Sequence, residues 1–362
     1  MFASGNQPSN VSSGKISEVP TVTSILSDDV RKMMWLAKTK DQMKTAQFVF
    51  KHYVETTEPH NDAAILKQKS MLFKDFMQVC RLNMWLEPAK EIWNDKSFMD
   101  RVGYIDEEGK RLATNMPTIT LCYLDMMYKK KMYQELIEEI QKMEKTLLVP
   151  IFVYVIGMMA CLHINTPSSL EAANAFYNGP SGGQIMKISR VVQPYALLLF
   201  LQGKTSHALE TVSLLPTRHF PVLRAGIMVY FLANLNRPEE ACSLLESVLR
   251  NSEREDRSLA MARGQNIPKL IFSIESVKAL TKAVENRKDV SLNARLAGIF
   301  SRLDKVASIT DKKMLHLVTA EIDADNAMKY KRRRQAKYLE DKFSIKDDPT
   351  IDDDLLDDNS HR

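Results

Sequence analysis

The chain has 362 residues, 44% of them apolar, with only 12 Gly and 14 Pro against 20 Met, a soluble, helix-rich composition in which flexible methionines suit irregular gaps between helices. No window of 18 or more uncharged apolar residues appears, which excludes a helical membrane span, and Cys80, Cys122, Cys161 and Cys242 lie too far apart for a zinc or thiol redox motif and are expected as core residues. The formal charge is +5, but the aspartates at 347, 348, 352, 353, 354, 357 and 358 against Arg362 give the last sixteen residues −6, so the body before them carries +11. A basic body attracts polyanions.

Residues 1–24 are rich in Ser, Asn and Pro with few apolar side chains, and they are expected to be disordered. They are acid-poor but not arginine-rich, so as a mitochondrial presequence they are weak. From Ser27, Asp28 and Asp29, a helix start, Val30, Met33, Met34 and Ala37 share one face, and Asp41 opens a second helix through Ala46, Val49, Phe50 and Tyr53. A second pair is predicted over 63–82 and 86–96, with Trp85 and Trp93 as packing residues, followed by an insertion at 103–115.

The central pair is the most regular. Ile119, Leu121, Leu124 and Tyr128 recur at helical spacing, as do Met132, Leu136, Ile140 and Met143 beyond the Lys129, Lys130, Lys131 elbow, and Pro150 forbids the second helix from running on. Further pairs are predicted over 152–162 and 167–177, then 185–201 and 205–214, then 220–235 and 238–250, with a linker at 179–183. Superposing the second helices puts Ala46, Ala89, Leu136, Ala173, Ala208 and Ala241 at one equivalent position, at intervals of 43, 47, 37, 35 and 33 residues. A lone helix hairpin leaves its apolar stripe wet, so each unit needs neighbours built the same way.

Two longer helices, over 267–286 and 291–307, read as a capping pair within residues 253–328. Residues 329–346 form a basic arm with Lys331, Arg332, Arg333 and Arg334 flanked by Tyr330 and Tyr338, and 347–362 an acidic, disordered tail. The pairs of 25–252 predict an all-α, right-handed superhelix of stacked helix-turn-helix repeats, of the pentatricopeptide or tetratricopeptide kind.

No convergent catalytic set can be assembled, so no enzyme activity, cofactor, metal or small-molecule substrate is expected. Gly203, Lys204 and Thr205 match the end of a phosphate-binding loop, but Leu198 stands where that loop needs its first glycine.

Written out, Ile119 to Pro150 resembles the pentatricopeptide consensus: an aliphatic first helix with Leu124 and Asp125, a lysine-rich elbow, Glu135, Leu136, Glu138, Glu139 and Met143, then Pro150. With Leu86, Glu87, Ala89, Lys90 and Glu91 before it, then Tyr195, Ala196 and Leu197, and last Ile271, Phe272, Ser273 and Val277, residues 41–318 resemble the family of pentatricopeptide repeat-containing protein 2 as a divergent member. The resemblance implies a mitochondrial matrix protein that binds single-stranded RNA and assists RNA processing and thereby respiratory-chain expression, alongside RNA-processing proteins or the mitochondrial ribosome. It also implies that a side chain early in each first helix reads a base edge. The equivalent positions are Arg31, Lys74, Leu121, Met158, Gln193 and Gly226, and Leu121 and Met158 have no hydrogen-bonding group for the task. Arg31, Lys74, Lys187, Arg190, Gln193, Arg224 and the 331–334 cluster are therefore the candidate RNA contacts, by phosphate as much as by base. The alternative is a helical-repeat scaffold for a protein partner, such as a subunit associated with the mitochondrial ribosome, which an apolar concave face would suit.

Overall fold

The structure, a computed structural model, describes residues 27–57, 63–102, 116–146, 149–179, 182–186, 188–215, 221–263 and 270–319. These are mostly helical. The first pair is α1 (Ser27–Leu36) and α2 (Lys40–Thr56), the latter opened by a capping box in which Thr39 accepts from the Gln42 amide and the Gln42 side chain returns to Thr39. Next come α3 (Ala63–Asn83) and α4 (Leu86–Trp93). The expected helix 86–96 stops at Asn94, because Asp95 caps a separate short helix, α5 (Lys96–Arg101), by accepting from the Phe98 amide at 3.1 Å. Phe98 then sits edge-on to Phe50 and Phe73, with centroids 5.1 and 5.6 Å apart.

The central pair is α6 (Met116–Lys129) and α7 (Tyr133–Thr146), followed by α8 (Ile151–Ile164) and α9 (Pro167–Asn178). Part of the linker expected at 179–183 belongs to one helical turn, α10 (Gly182–Ile185). Beyond it lie α11 (Ser189–Leu201) and α12 (Thr205–Ser213), then α13 (Pro221–Asn234) and α14 (Pro238–Arg263). Helix α14 is longer than the expected 238–250 and runs through the boundary drawn at 252. The expected insertion at 103–115, the terminal segments 1–24 and 329–362 and the Lys331 to Arg334 cluster lie outside the described residues.

The expected helix from 267 is instead a strand, β1 (Leu270–Ser273), followed by α15 (Ile274–Arg287), α16 (Val290–Val306), a second strand β2 (Ala307–Thr310) and α17 (Met314–Val318). The strands pair in parallel, Leu270 with Ala307 through Ser273 with Thr310, and β1 lies on α13. Four residues are too few to show a period of two, which is why Leu270, Ile271 and Phe272 read as the start of a helix. The small sheet ties the chain's return: Ser273 Oγ donates to the Lys312 carbonyl at 2.7 Å, and Glu275 accepts from the Met314 amide at 2.7 Å, which caps α17.

First helices pack each on the next, α1 on α3, α3 on α6, α6 on α8, α8 on α11, α11 on α13 and α13 on α15. Their burial follows: every residue of α8 from Val153 to Leu162 is buried, and every residue of α11 from Val191 to Leu199. The second helices are one-sided, and all six superposed positions, Ala46, Ala89, Leu136, Ala173, Ala208 and Ala241, are 0% exposed. Helix α13 divides the interior. Its Ile227 and Phe231 join a core running back to Val30, while its Ala225, Val229, Leu232 and Ala233 face a second core built by α14, α15 and α16. After that second core the chain comes back, and Met314 and Val318 of α17 insert into the first. Within the described residues, no helix is long and apolar enough to cross a membrane.

Candidate nucleic-acid interface

A helix that must reverse within a few residues leaves its last carbonyls without donors, and a left-handed residue lets the chain turn back to satisfy them. The elbows use that solution repeatedly. Met84, Lys131, Asn165, Gly203, Asn236 and Lys288 have φ between 50° and 77° and stand between the first and second helix of their pairs. Four elbows share one hydrogen-bond pattern. The left-handed residue's amide reaches the carbonyl three back (Met84 to Arg81, Lys131 to Tyr128, Gly203 to Phe200, Asn236 to Ala233), and the next amide reaches five back (Trp85 to Cys80, Met132 to Met127, Lys204 to Leu199, Arg237 to Leu232), all at 2.8 to 3.2 Å. Gly203 announces this in the sequence, Asn236 more weakly, and Met84 and Lys131 not at all.

The elbows also touch one another in series. Arg81 donates from Nε to Asp125 Oδ2 at 2.5 Å, and Asp125 also pairs with Lys129 at 3.2 Å. Tyr128 Oη and His163 Nε2 are 2.8 Å apart, and the Tyr133 ring stacks on the imidazole at 4.9 Å and 5°. Gln202 Nε2 donates to the Asn165 carbonyl at 2.9 Å and to its Oδ1 at 2.8 Å. Phe200 and Phe231 stack at 4.3 Å and 7°, and Arg287 donates to the Asn236 carbonyl at 2.9 Å. The elbows from Arg81 to Lys288 therefore form one continuous edge. Burial, then His316, then Lys131 hold the His163 pKa below its ordinary value.

This edge is basic. Several of its cations are committed to neighbours: Arg81 and Lys129 to Asp125, Arg237 to Glu240 at 2.5 Å and Arg287 to Glu239 at 3.6 Å. Lys130, Lys131, Lys204 and Lys288 are exposed and make no ion pair among the described residues. Such ammonium groups favour the C-terminal end of a helix and are also free to meet phosphate.

Of the residues picked out by sequence, the five that are described, Arg31, Lys74, Arg190, Gln193 and Arg224, lie elsewhere and do not converge. Arg31 is held by two carboxylates, Nε to Asp75 at 2.8 Å and Nη1 to Asp28 at 3.1 Å, on the edge of a cleft of about 450 Å³ that it shares with Lys67, Gln68 and Met71. Lys74 is half-buried on α3. Gln193 is only 5% exposed, and its Nε2 has no partner among the described residues. Arg190 is exposed at the start of α11. Arg224 is half-buried, donates from Nη2 to the Ser213 carbonyl at 3.0 Å, and its Nε has no partner among the described residues; burial lowers its pKa. Lys187 and Lys331 to Arg334 lie outside the described residues.

The remaining base-reading positions are also interior. Met158 is 0% exposed, Leu121 packs half-buried against the core, and a side chain at Gly226 would sit 3.4 Å from the Ile271 carbonyl. Inner first helices have neighbours on both sides, so an early position in them faces protein. The register itself shifts in the fourth pair. Counting five residues on from the left-handed residue gives Ala89, Leu136, Ala208 and Ala241, but gives Leu170 and not Ala173 in α9, because the Thr166 capping box follows Asn165 there.

All four cysteines are buried free thiols, and burial pushes Cys122 and Cys161 up to about 12. Among the described residues no group of three or more His, Cys, Asp or Glu is placed to hold a metal ion. The chain matches no model of a known protein family and no characterised protein.

Proposed function

We propose that the chain is a non-catalytic RNA-binding protein, a right-handed superhelix of helix-turn-helix repeats that holds single-stranded RNA by its phosphates along the elbow edge. The supporting observation is the set of exposed lysines at 130, 131, 204 and 288, which make no ion pair among the described residues and stand on alternate elbows, while the described positions that would read bases are buried, half-buried or paired. Phosphate contacts give affinity and register without sequence information. The process, mitochondrial RNA processing, and the matrix location rest on the pentatricopeptide resemblance of residues 119–150. In this reading the protein protects transcripts or presents them to nucleases carried by other proteins. RNA crosslinking in intact cells tests it. Discrete mitochondrial transcript sites, lost when Lys130, Lys131, Lys204 and Lys288 are all changed to Ser, are the expected result; no RNA above background would overturn the reading.

A second reading, a scaffold for a protein partner such as the mitochondrial ribosome, is favoured by one feature: Met33, Trp35 and Leu36 at the end of α1 are 40%, 47% and 71% exposed. Recovery of stable protein partners without RNA would select it.

A further inference from the structure

Among the described residues the row of helices begins at α1, and the end of that helix is not polar. The last turn of α1 sends only Met34 inward and turns Met33, Trp35 and Leu36 outward, and on α2 Phe48 is 72% exposed. A terminal repeat ordinarily presents a polar outer face, so an apolar one calls for a cover. Its surroundings are basic. Lys38 and Lys40 flank the Thr39 cap and Lys44 lies one turn before Phe48; all three are exposed and make no ion pair among the described residues, with Asp41 the one acid between them. The acids of α1 itself are engaged, Asp28 by Arg31 at 3.1 Å and Asp29 by Lys32 at 3.8 Å. An apolar turn with a cationic rim fits an acidic segment that carries spaced apolar residues.

The chain contains such a segment. Residues 347–358 hold seven aspartates and, among them, Ile351, Leu355 and Leu356. We propose that this acidic tail covers the N-terminal end of its own chain, its three aliphatic side chains on Met33, Trp35, Leu36 and Phe48 and its aspartates facing Lys38, Lys40 and Lys44. The connection is long enough. Val318 of α17, packed against α11 and α13, is followed by twenty-eight residues before Asp347. At roughly 3.3 Å per residue these can span about 90 Å. The way back from α11 past α8, α6 and α3 to α1 is four helix-to-helix steps of about 10 Å each. Opposite charges on the two segments also favour the closed arrangement at low salt.

Trp35 reports the contact, because the other two tryptophans, Trp85 and Trp93, are each only 8% exposed. Acrylamide quenching and emission wavelength are compared between the full chain and the chain lacking 347–362, with Trp35→Phe in both to identify the signal. The proposal expects stronger quenching and a red shift on deletion, a difference that Trp35→Phe removes. It expects the same change in the full chain on raising salt to ~0.5 M, and on changing Ile351, Leu355 and Leu356 to Ser. Equal quenching with and without the tail would overturn it. So would protection that vanishes on dilution, which would assign the cover to the tail of a second copy, or protection that persists without the tail in the presence of a copurifying partner.

Discussion

The two surfaces that a row of helix pairs offers, the first-helix face and the elbow edge, have opposite character here. Along the face, Met158 and Gln193 are closed into protein and Gly226 lies under β1. Along the edge, lysines stand in water on turns closed by backbone hydrogen bonds. An inner first helix is packed from both sides, and an elbow is not. Stability therefore resides in the face and charge in the edge, so substitutions in the two places should separate folding from binding.

The largest effect belongs to the face. Met158→Ala removes a fully buried side chain from α8 and is expected to cost about 2–5 kcal/mol in urea unfolding, while leaving the RNA affinity of the folded protein unchanged. Breaking the edge's backbone of contacts costs less. Asp125→Asn weakens two cations at once, Arg81 and Lys129, at a site only 18% exposed, and about 1 kcal/mol is expected.

Acid tests the same edge where His163 joins it. Its folded pKa lies below the ordinary 6.5, so the neutral imidazole is the folded form. Its contribution to stability is complete above that ordinary value and is lost as pH falls through the lower folded value. Thermal unfolding between neutral pH and mildly acidic pH should show falling stability, with a shallower fall in His163→Gln; equal slopes would remove His163 as the cause.

Smaller still is the effect of the turn conformation. Lys131→Gly relieves a left-handed residue of its Cβ and is expected to raise stability by up to about 1 kcal/mol, while weakening RNA binding by loss of one cation. A single substitution that stabilises the fold and weakens the ligand would be hard to reconcile with binding on the face. The four lysines changed together to Ser should leave stability within about 0.5 kcal/mol.

Helical periodicity made the pairs legible, and the six positions superposed from the second helices are all fully buried. What escaped was set by backbone chemistry with weak sequence marks. Met84, Lys131 and Lys288 take a conformation that glycine usually signals, β1 and β2 are four residues each, and Asp95 breaks a helix by capping the next one. The surroundings of the candidate contacts were hidden for a related reason. Counting back from the second helices locates a position along a first helix, but what lies against it is decided by the neighbouring pairs. The Lys129 to Lys131 elbow was visible as a turn, and its alignment with Lys204 and Lys288 required the elbow-to-elbow contacts.

The most direct test is the salt dependence of binding to a short labelled single-stranded RNA, followed by anisotropy, for the wild type, the Lys130, Lys131, Lys204, Lys288→Ser variant and Gln193→Ala. Each phosphate contact adds about 0.7 to the slope of log affinity against log salt on a single strand, so the lysine variant should lose slope by as much as about 3 while Gln193→Ala keeps it. An unchanged slope in the lysine variant, or a loss confined to Gln193→Ala, would contradict binding on the elbow edge.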